Sequence, residues 1–290
     1  MYKEECVMTR KGKLDLKLLT AVLCGTITLS GSGFVFAGET EAEKAAFPNG
    51  NFSDEMKIED NEDLDPEAGA DSVEREGDHP DSPYFTSLDY YNMKSTDTLT
   101  ILPHFKTIQQ SSEWSCGVAS ALMVLDYYGK RGNLGEEDLA KFRSNGAEPG
   151  ATSLKQEMEM FDGAGMLDSG GGFNLESSYD YKTADELHEA FPIERFAEEL
   201  KAGHPILVCW IEWGGHWQVV IGYDTMGTDT TQDDVLIMAD PYDTTDHNQD
   251  GYMIYGAERF YYNWSMYDFF ADSEDSSERD FLFLIPTLAK

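Results

Sequence analysis

A cysteine that opens a helix six positions after a glutamine in a polar loop constrains this chain more than any other feature. The segment reads Gln110-Ser-Ser-Glu-Trp-Ser-Cys116-Gly-Val-Ala-Ser-Ala-Leu-Met-Val-Leu-Asp-Tyr-Tyr-Gly129. Val118, Ala121, Leu122 and Leu125 follow helical spacing, and Gly129 suits a left-handed helix end. A helix N-terminus lowers the pKa of a thiol, and Gly117, Ala119 and Ser120 are small enough to leave the sulfur accessible. Taken alone, Cys-Gly at a helix start is more often a buried structural cysteine.

Around this helix the periodicities sort into two halves. Thr98 to Phe105 reads as a strand entering the Gln110 loop. Capping boxes at Ser153 with Gln156 and at Thr183 with Glu186 announce two helices, and Pro192 suits the first turn of a third, carrying Ile193, Phe196 and Leu200 and ended by Gly203. Pro205 to Trp213, His216 to Asp224 and Val235 to Asp240 are β-prone runs, with Phe281 to Ile285 as a closing strand. Helices followed by antiparallel strands indicate an α+β domain with a cleft between two lobes.

That domain is expected over residues 96–290. Arg10, Lys11, Lys13 and Lys17 precede a largely apolar run from Leu18 to Ala37 that ends in the small residue before Gly38, the order of a secretory signal peptide over residues 1–37. A membrane anchor is the weaker alternative, because Thr26, Thr28, Ser30, Gly31, Ser32 and Gly33 dilute the run. Residues 38–95 are acidic and poor in large apolar side chains. Between Glu39 and Asp81 there are 16 acidic and three basic residues, so a disordered linker, an envelope spacer or a pro-segment is expected there. The expected product is a secreted or cell-surface monomer, with association to the cell envelope as a further expectation.

Charge and cysteine content narrow the function classes. The chain has 55 acidic and 21 basic residues, a formal net charge of −34, which repels nucleic acid and favours cationic ligands and divalent metals. Two of its four cysteines, Cys6 and Cys24, fall in the export segment, which leaves Cys116 and Cys209 and no disulfide framework. Cys209 sits in the apolar run Pro205-Ile-Leu-Val-Cys-Trp-Ile211 and reads as a core residue. Cys116 needs a different explanation.

The partners a nucleophilic cysteine requires occur in order. Of six histidines, only His216 follows a glycine pair and opens an alternating strand, where an imidazole can serve as general base. Asp240 ends the next strand in Ile237-Met-Ala-Asp-Pro241 and can orient that imidazole, although aspartate before proline is also a common turn element. Gln110 can donate its side-chain amide to the oxyanion of an acyl transfer, with Gln109 a lower-ranked neighbour.

Gln110 through Gly129, then Gly215-His216-Trp-Gln-Val-Val-Ile-Gly-Tyr, then Asp240-Pro241 resemble the papain-like cysteine peptidases of the bacteriocin-processing, double-glycine type, and in particular their stand-alone relatives. The resemblance spans roughly Thr98 to Pro286. It implies a papain-like fold, with the nucleophile helix packed on an antiparallel sheet and a peptide or protein as substrate. It also implies Cys116 as nucleophile, His216 as general acid and base, Asp240 as orienter and Gln110 as oxyanion donor. Ser115 stands where transporter-fused members often carry aspartate, and no transporter segments follow, so coupling to leader-peptide export is not implied. Transpeptidation, other acyl transfer or cell-wall peptide cleavage would use the same groups, and an inactive binding module would keep the fold alone.

No cofactor is required by this chemistry. A structural calcium is the one ion the sequence suggests, because Asp246-His-Asn248-Gln-Asp250-Gly251 alternates oxygen ligands ahead of a turn glycine. An ordinary polar turn is the competing reading. Trp213, Trp217, Tyr252, Tyr255, Tyr261, Tyr262 and Trp264 read as core and cleft wall.

Overall fold

The computed structural model describes residue 64 and residues 69–72, 88–167, 171–245, 248–266 and 281–289. The export segment read over residues 1–37 lies outside these. No helix among the described residues is long and apolar enough to cross a membrane.

Among the described residues seven strands form one antiparallel sheet: β1 (Leu99–Ile101), β2 (Phe173–Ser177), β3 (Ile206–Trp210), β4 (His216–Asp224), β5 (Val235–Ala239), β6 (Tyr252–Gly256) and β7 (Leu282–Leu288). They run in the order β2-β7-β3-β4-β5-β6, and β1 also pairs with β4. The helices are α1 (Cys116–Tyr127), α2 (Glu136–Ala140), α3 (Leu154–Leu167), α4 (Ala184–Ala190), α5 (Arg195–Lys201) and α6 (Ala257–Ser265). This is the α+β class expected, with the cysteine helix laid against the sheet.

Helix α1 is apolar on all sides and buried from Cys116 to Leu125, as a central helix must be. Its Ser120 hydroxyl donates to the carbonyl of Trp217 in β4 at 3.1 Å, and the Trp217 indole N–H donates to the carbonyl of Thr152, just ahead of α3, at 2.8 Å. Gly129 ends the helix at φ 66°, the left-handed conformation its position demanded. In β4, residues two apart share a face, so His216 and Gln218 point opposite to Trp217 and Val219. The polar alternation suggests a strand with one wet face. Instead the strand is buried from His216 to Tyr223, because β4 is central and both faces are covered. On the Gln218 side lies an aromatic cluster in which Phe191 meets Phe283 at 4.8 Å, Trp210 meets Phe260 at 5.0 Å and Phe260 stacks on Trp264 at 5.5 Å.

Several expected elements move. The strand read over Thr98 to Phe105 shortens to β1, since Leu102 onward turns away and His104 adopts φ 53°. Pro192 lies outside α5, which begins at Arg195 after a turn in which the Arg195 N–H donates to the Pro192 carbonyl. The Ser153–Gln156 box forms reciprocally, whereas Glu186 turns from Thr183 to cap the N–H of Lys182. Residues ahead of the expected domain start at 96 are also buried. Tyr90 and Tyr91 are in the core, and Ala70 is fully buried, with its carbonyl accepting from Gln249.

Candidate active site

Three elements converge at the N-terminus of α1. Cys116 is the first residue of that helix, His216 the first of β4, and Asp240 the residue after β5. All three are buried, with the sulfur residue 7% exposed and His216 and Asp240 each 2%. His216 Nε2 lies 2.6 Å from Asp240 Oδ1, which leaves Nδ1 for the hydrogen bond with Cys116. That arrangement fixes the tautomer: the N–H on Nε2 donates to the carboxylate, and Nδ1 faces the sulfur.

Asp240 is itself held from two further directions. The backbone N–H of Tyr242 donates to Oδ1 at 2.7 Å and the side-chain amide of Gln218 donates to Oδ2 at 2.8 Å. Gln218 cannot turn over, because its Oε1 accepts from the Trp210 indole at 2.7 Å. The same amide reaches Glu212 at 3.0 Å, and Glu212 also accepts from the Tyr255 hydroxyl. Glu212 is raised above the usual carboxyl range by burial first and by the charge of Asp240 second. Gln109, by contrast, serves the backbone: its amide donates to the carbonyl of Asp240 at 3.2 Å.

Opposing effects act on the thiol. Burial pushes the Cys116 pKa up. The hydrogen bond and charge of His216, together with the backbone N–H groups of Trp217 and Gly117, more than offset it, so the thiol sits below its ordinary range. Burial likewise works against a charged His216. The charge and hydrogen bond of Asp240, then those of Cys116, outweigh it and raise the imidazole to about 10. The two shifts describe one event, a proton moving from sulfur to ring to give a thiolate–imidazolium pair.

Gln110 lines the same cavity as Cys116 and His216. Its backbone is anchored by a bond from its N–H to the Pro241 carbonyl at 2.9 Å, and its amide nitrogen donates to the Ser112 carbonyl at 2.5 Å. One N–H of that amide remains for an oxyanion, since a primary amide carries two. The loop is braced from behind by the buried Glu136 carboxylate on the Ser111 N–H at 3.0 Å, and by Asp71, whose N–H donates to the Gln110 carbonyl. Gly69 approaches the backbone of Ser111 so closely that a Cβ there would collide with it.

Gly117 plays a part that the sequence did not suggest. Its missing Cβ matters on the buried side of the helix, where any side chain would strike the Glu157 carboxylate and Thr152. Glu157 on α3 is fully buried and neither oxygen has a hydrogen-bond partner among the described residues. Its pKa is raised well above the usual range by burial first and by the Cys116 charge second, against the pull of Arg143. Arg143 lies over the Trp114 ring at 4.5 Å and donates to the carbonyls of Gly146, Glu148 and Gly150.

A cavity of about 260 Å³ opens before the sulfur, and Glu113, Trp213 and Tyr242 contribute to its walls. The sequence marks none of the three as a site residue, although Trp213 belongs to the aromatic set that reads as core and cleft wall. Glu113 and Tyr242 carry a positional signal, since each lies within three residues of a predicted site residue. Gln218 could have been found from strand alternation, being two positions after His216 on the same face.

The calcium loop is only partly described, because Asp246 lies outside the described residues. Asn248 and Asp250 are buried. Asp250 accepts from the Tyr252 N–H at 3.0 Å, and Gly251 turns at φ 78° with its N–H donating to Asp243 at 2.8 Å. No group of three histidine, cysteine or acidic side chains among the described residues could hold a metal.

None of the curated proteins compared with the chain matches it. A family model described as the Peptidase_C39 like family matches residues 103–271, more than half of the chain, including Gln110, Cys116, His216 and Asp240. By that match, and by a sheet-backed cysteine helix of papain-like form, this chain belongs to the Peptidase_C39-like family of papain-like cysteine peptidase relatives.

Proposed function

We propose that the protein is an exported cysteine peptidase that hydrolyses peptide bonds through an acyl-enzyme on Cys116. What carries the reading is the buried contact chain from the Cys116 sulfur through His216 to Asp240, opening on a cavity that Gln110 also lines. The basic-then-apolar order of residues 1–37 supports export.

The steps follow from the placement of these groups. The thiolate adds to the scissile carbonyl carbon, and the carbonyl π electrons move to oxygen. The Cys116 backbone N–H, at a helix N-terminus, and the Gln110 amide receive that oxyanion. As the oxyanion collapses and the C–N bond breaks, His216 passes its proton to the departing amine, and a thioester remains. Neutral His216 then takes a proton from water, whose oxygen attacks the thioester. Collapse releases the carboxylic acid and restores the thiolate–imidazolium pair.

Incubation with peptide ester substrates followed by rapid acid quench tests the reading. Mass analysis of the intact protein should show an acyl adduct on Cys116, absent in Cys116→Ala, together with hydrolysed product. Turnover that survives Cys116→Ala would overturn it.

A further inference from the structure

We infer that the cleft before Cys116 is a cation-selective subsite, in which the Glu113 carboxylate and the Trp213–Tyr242 ring pair receive a lysine or arginine side chain flanking the scissile bond. This rests on the peptidase reading above and names the substrate class for it.

The first argument is charge. Among the described residues lining the cavity, Glu113 is the one carboxylate and there is no lysine or arginine. Glu113 precedes Cys116 by three positions, and its exposed side chain lines the same cavity as the sulfur. The thiolate, the imidazolium and the Asp240 carboxylate together carry one net negative charge, which adds to that of Glu113 against an anionic substrate. The whole chain, at a formal net charge of −34, extends the same sign outward.

The second argument is shape. Trp213 is 56% exposed, unusual for so large an apolar side chain beside a cavity, and meets Tyr242 edge to face at 5.4 Å and 61°. Its backbone sits at φ 55°, a left-handed conformation that is rare and costly for a bulky residue. The short 3₁₀ turn Glu212–Gly214, followed by Gly215 and His216, therefore holds the indole out against solvent rather than folding it into the core. Aromatic faces beside a carboxylate suit ammonium and guanidinium groups, which bind by cation–π attraction and ion pairing together. A volume of about 260 Å³ accommodates one such long side chain.

Irreversible peptidyl acyloxymethyl ketones test this without a known substrate. The full chain is treated with probes carrying lysine, norleucine or glutamate at either of the two positions before the ketone, and second-order inactivation rates are compared. Lysyl probes should react about tenfold faster than norleucyl probes, with glutamyl probes slowest, a ratio set by one exposed ion pair plus one cation–π contact. Glu113→Gln should bring the lysyl-to-norleucyl ratio to within about twofold of one, and Glu113→Lys should make glutamyl probes the fastest. Equal rates in the unaltered protein, or an undiminished tenfold lysyl preference in Glu113→Gln, would overturn the subsite while leaving the peptidase reading intact. Iodoacetamide is the control that separates the two: if it also fails to label Cys116 faster than an ordinary thiol, the peptidase reading itself falls, and the subsite with it.

Discussion

His216 illustrates how this site sets its own working range. The ion pair exists above the lowered thiol value and below the imidazole value of about 10, so hydrolysis should follow a bell-shaped pH profile bounded by those two macroscopic steps. Asp240→Asn removes the charge that most raises His216. It should shift the alkaline limb to lower pH and reduce kcat by about 10²-fold, as seen in initial rates across pH. An alkaline limb left in place would show that Asp240 does not govern the ring. Gln110→Ala should reduce kcat by about 10²- to 10³-fold with little change in KM, as expected for a group that acts only on the developing oxyanion. A rise in KM alone would instead make Gln110 a substrate-binding residue. These four positions stand out as candidates in the sequence because each carries a local signature: a helix-opening cysteine, a glycine pair, Asp-Pro, and a glutamine six residues upstream. Gln218 and Glu157 were not, because their roles depend on which strand and helix lie next to them, and no local pattern encodes that.

Between α1 and α3 the packing is so close that chemistry and stability meet. Glu157 is buried without hydrogen-bond partners among the described residues, and its folded pKa lies above its unfolded value of about 4.3. The unfolded chain therefore releases this proton at a lower pH than the folded one, and stability is lost as pH rises above the unfolded value. Glu157→Gln should melt with the unaltered protein near pH 4 and progressively above it toward pH 7. A difference that does not grow with pH would mean that Glu157 is ionised in place. At the same scale, the caps at Ser153 and Thr183 identified α3 and α4 correctly, because capping is a local hydrogen-bond pattern. Strands β2 and β6 and helices α2 and α6 escaped notice. β2 has one buried position, β6 alternates at an edge, and α6 lies in an aromatic run whose composition fits core of either type.

The molecule as a whole carries 55 acidic against 21 basic residues, and like charges at this density repel across the folded surface. Raising NaCl from about 10 mM to about 150 mM shortens the Debye length from roughly 30 Å to about 8 Å, so the melting temperature should rise. A melting temperature indifferent to salt would mean that the charges are already compensated. Composition foretold this field. It did not foretell that part of the acidic stretch packs against the domain, where Ala70 is buried beside Gln249 and Asp71 braces the Gln110 loop, since so few apolar residues gave no sign of a docking site.

The central claim is that folding places Cys116 against a charged His216 so that the sulfur is a thiolate near neutral pH. The rate of iodoacetamide alkylation at Cys116, followed by mass spectrometry from about pH 5 to pH 10, measures this directly. A thiolate–imidazolium pair predicts an apparent titration well below the free-cysteine value of about 8.5, lost in His216→Ala. A sulfur that titrates like a free thiol in the unaltered protein, with no change on removing the ring, contradicts it.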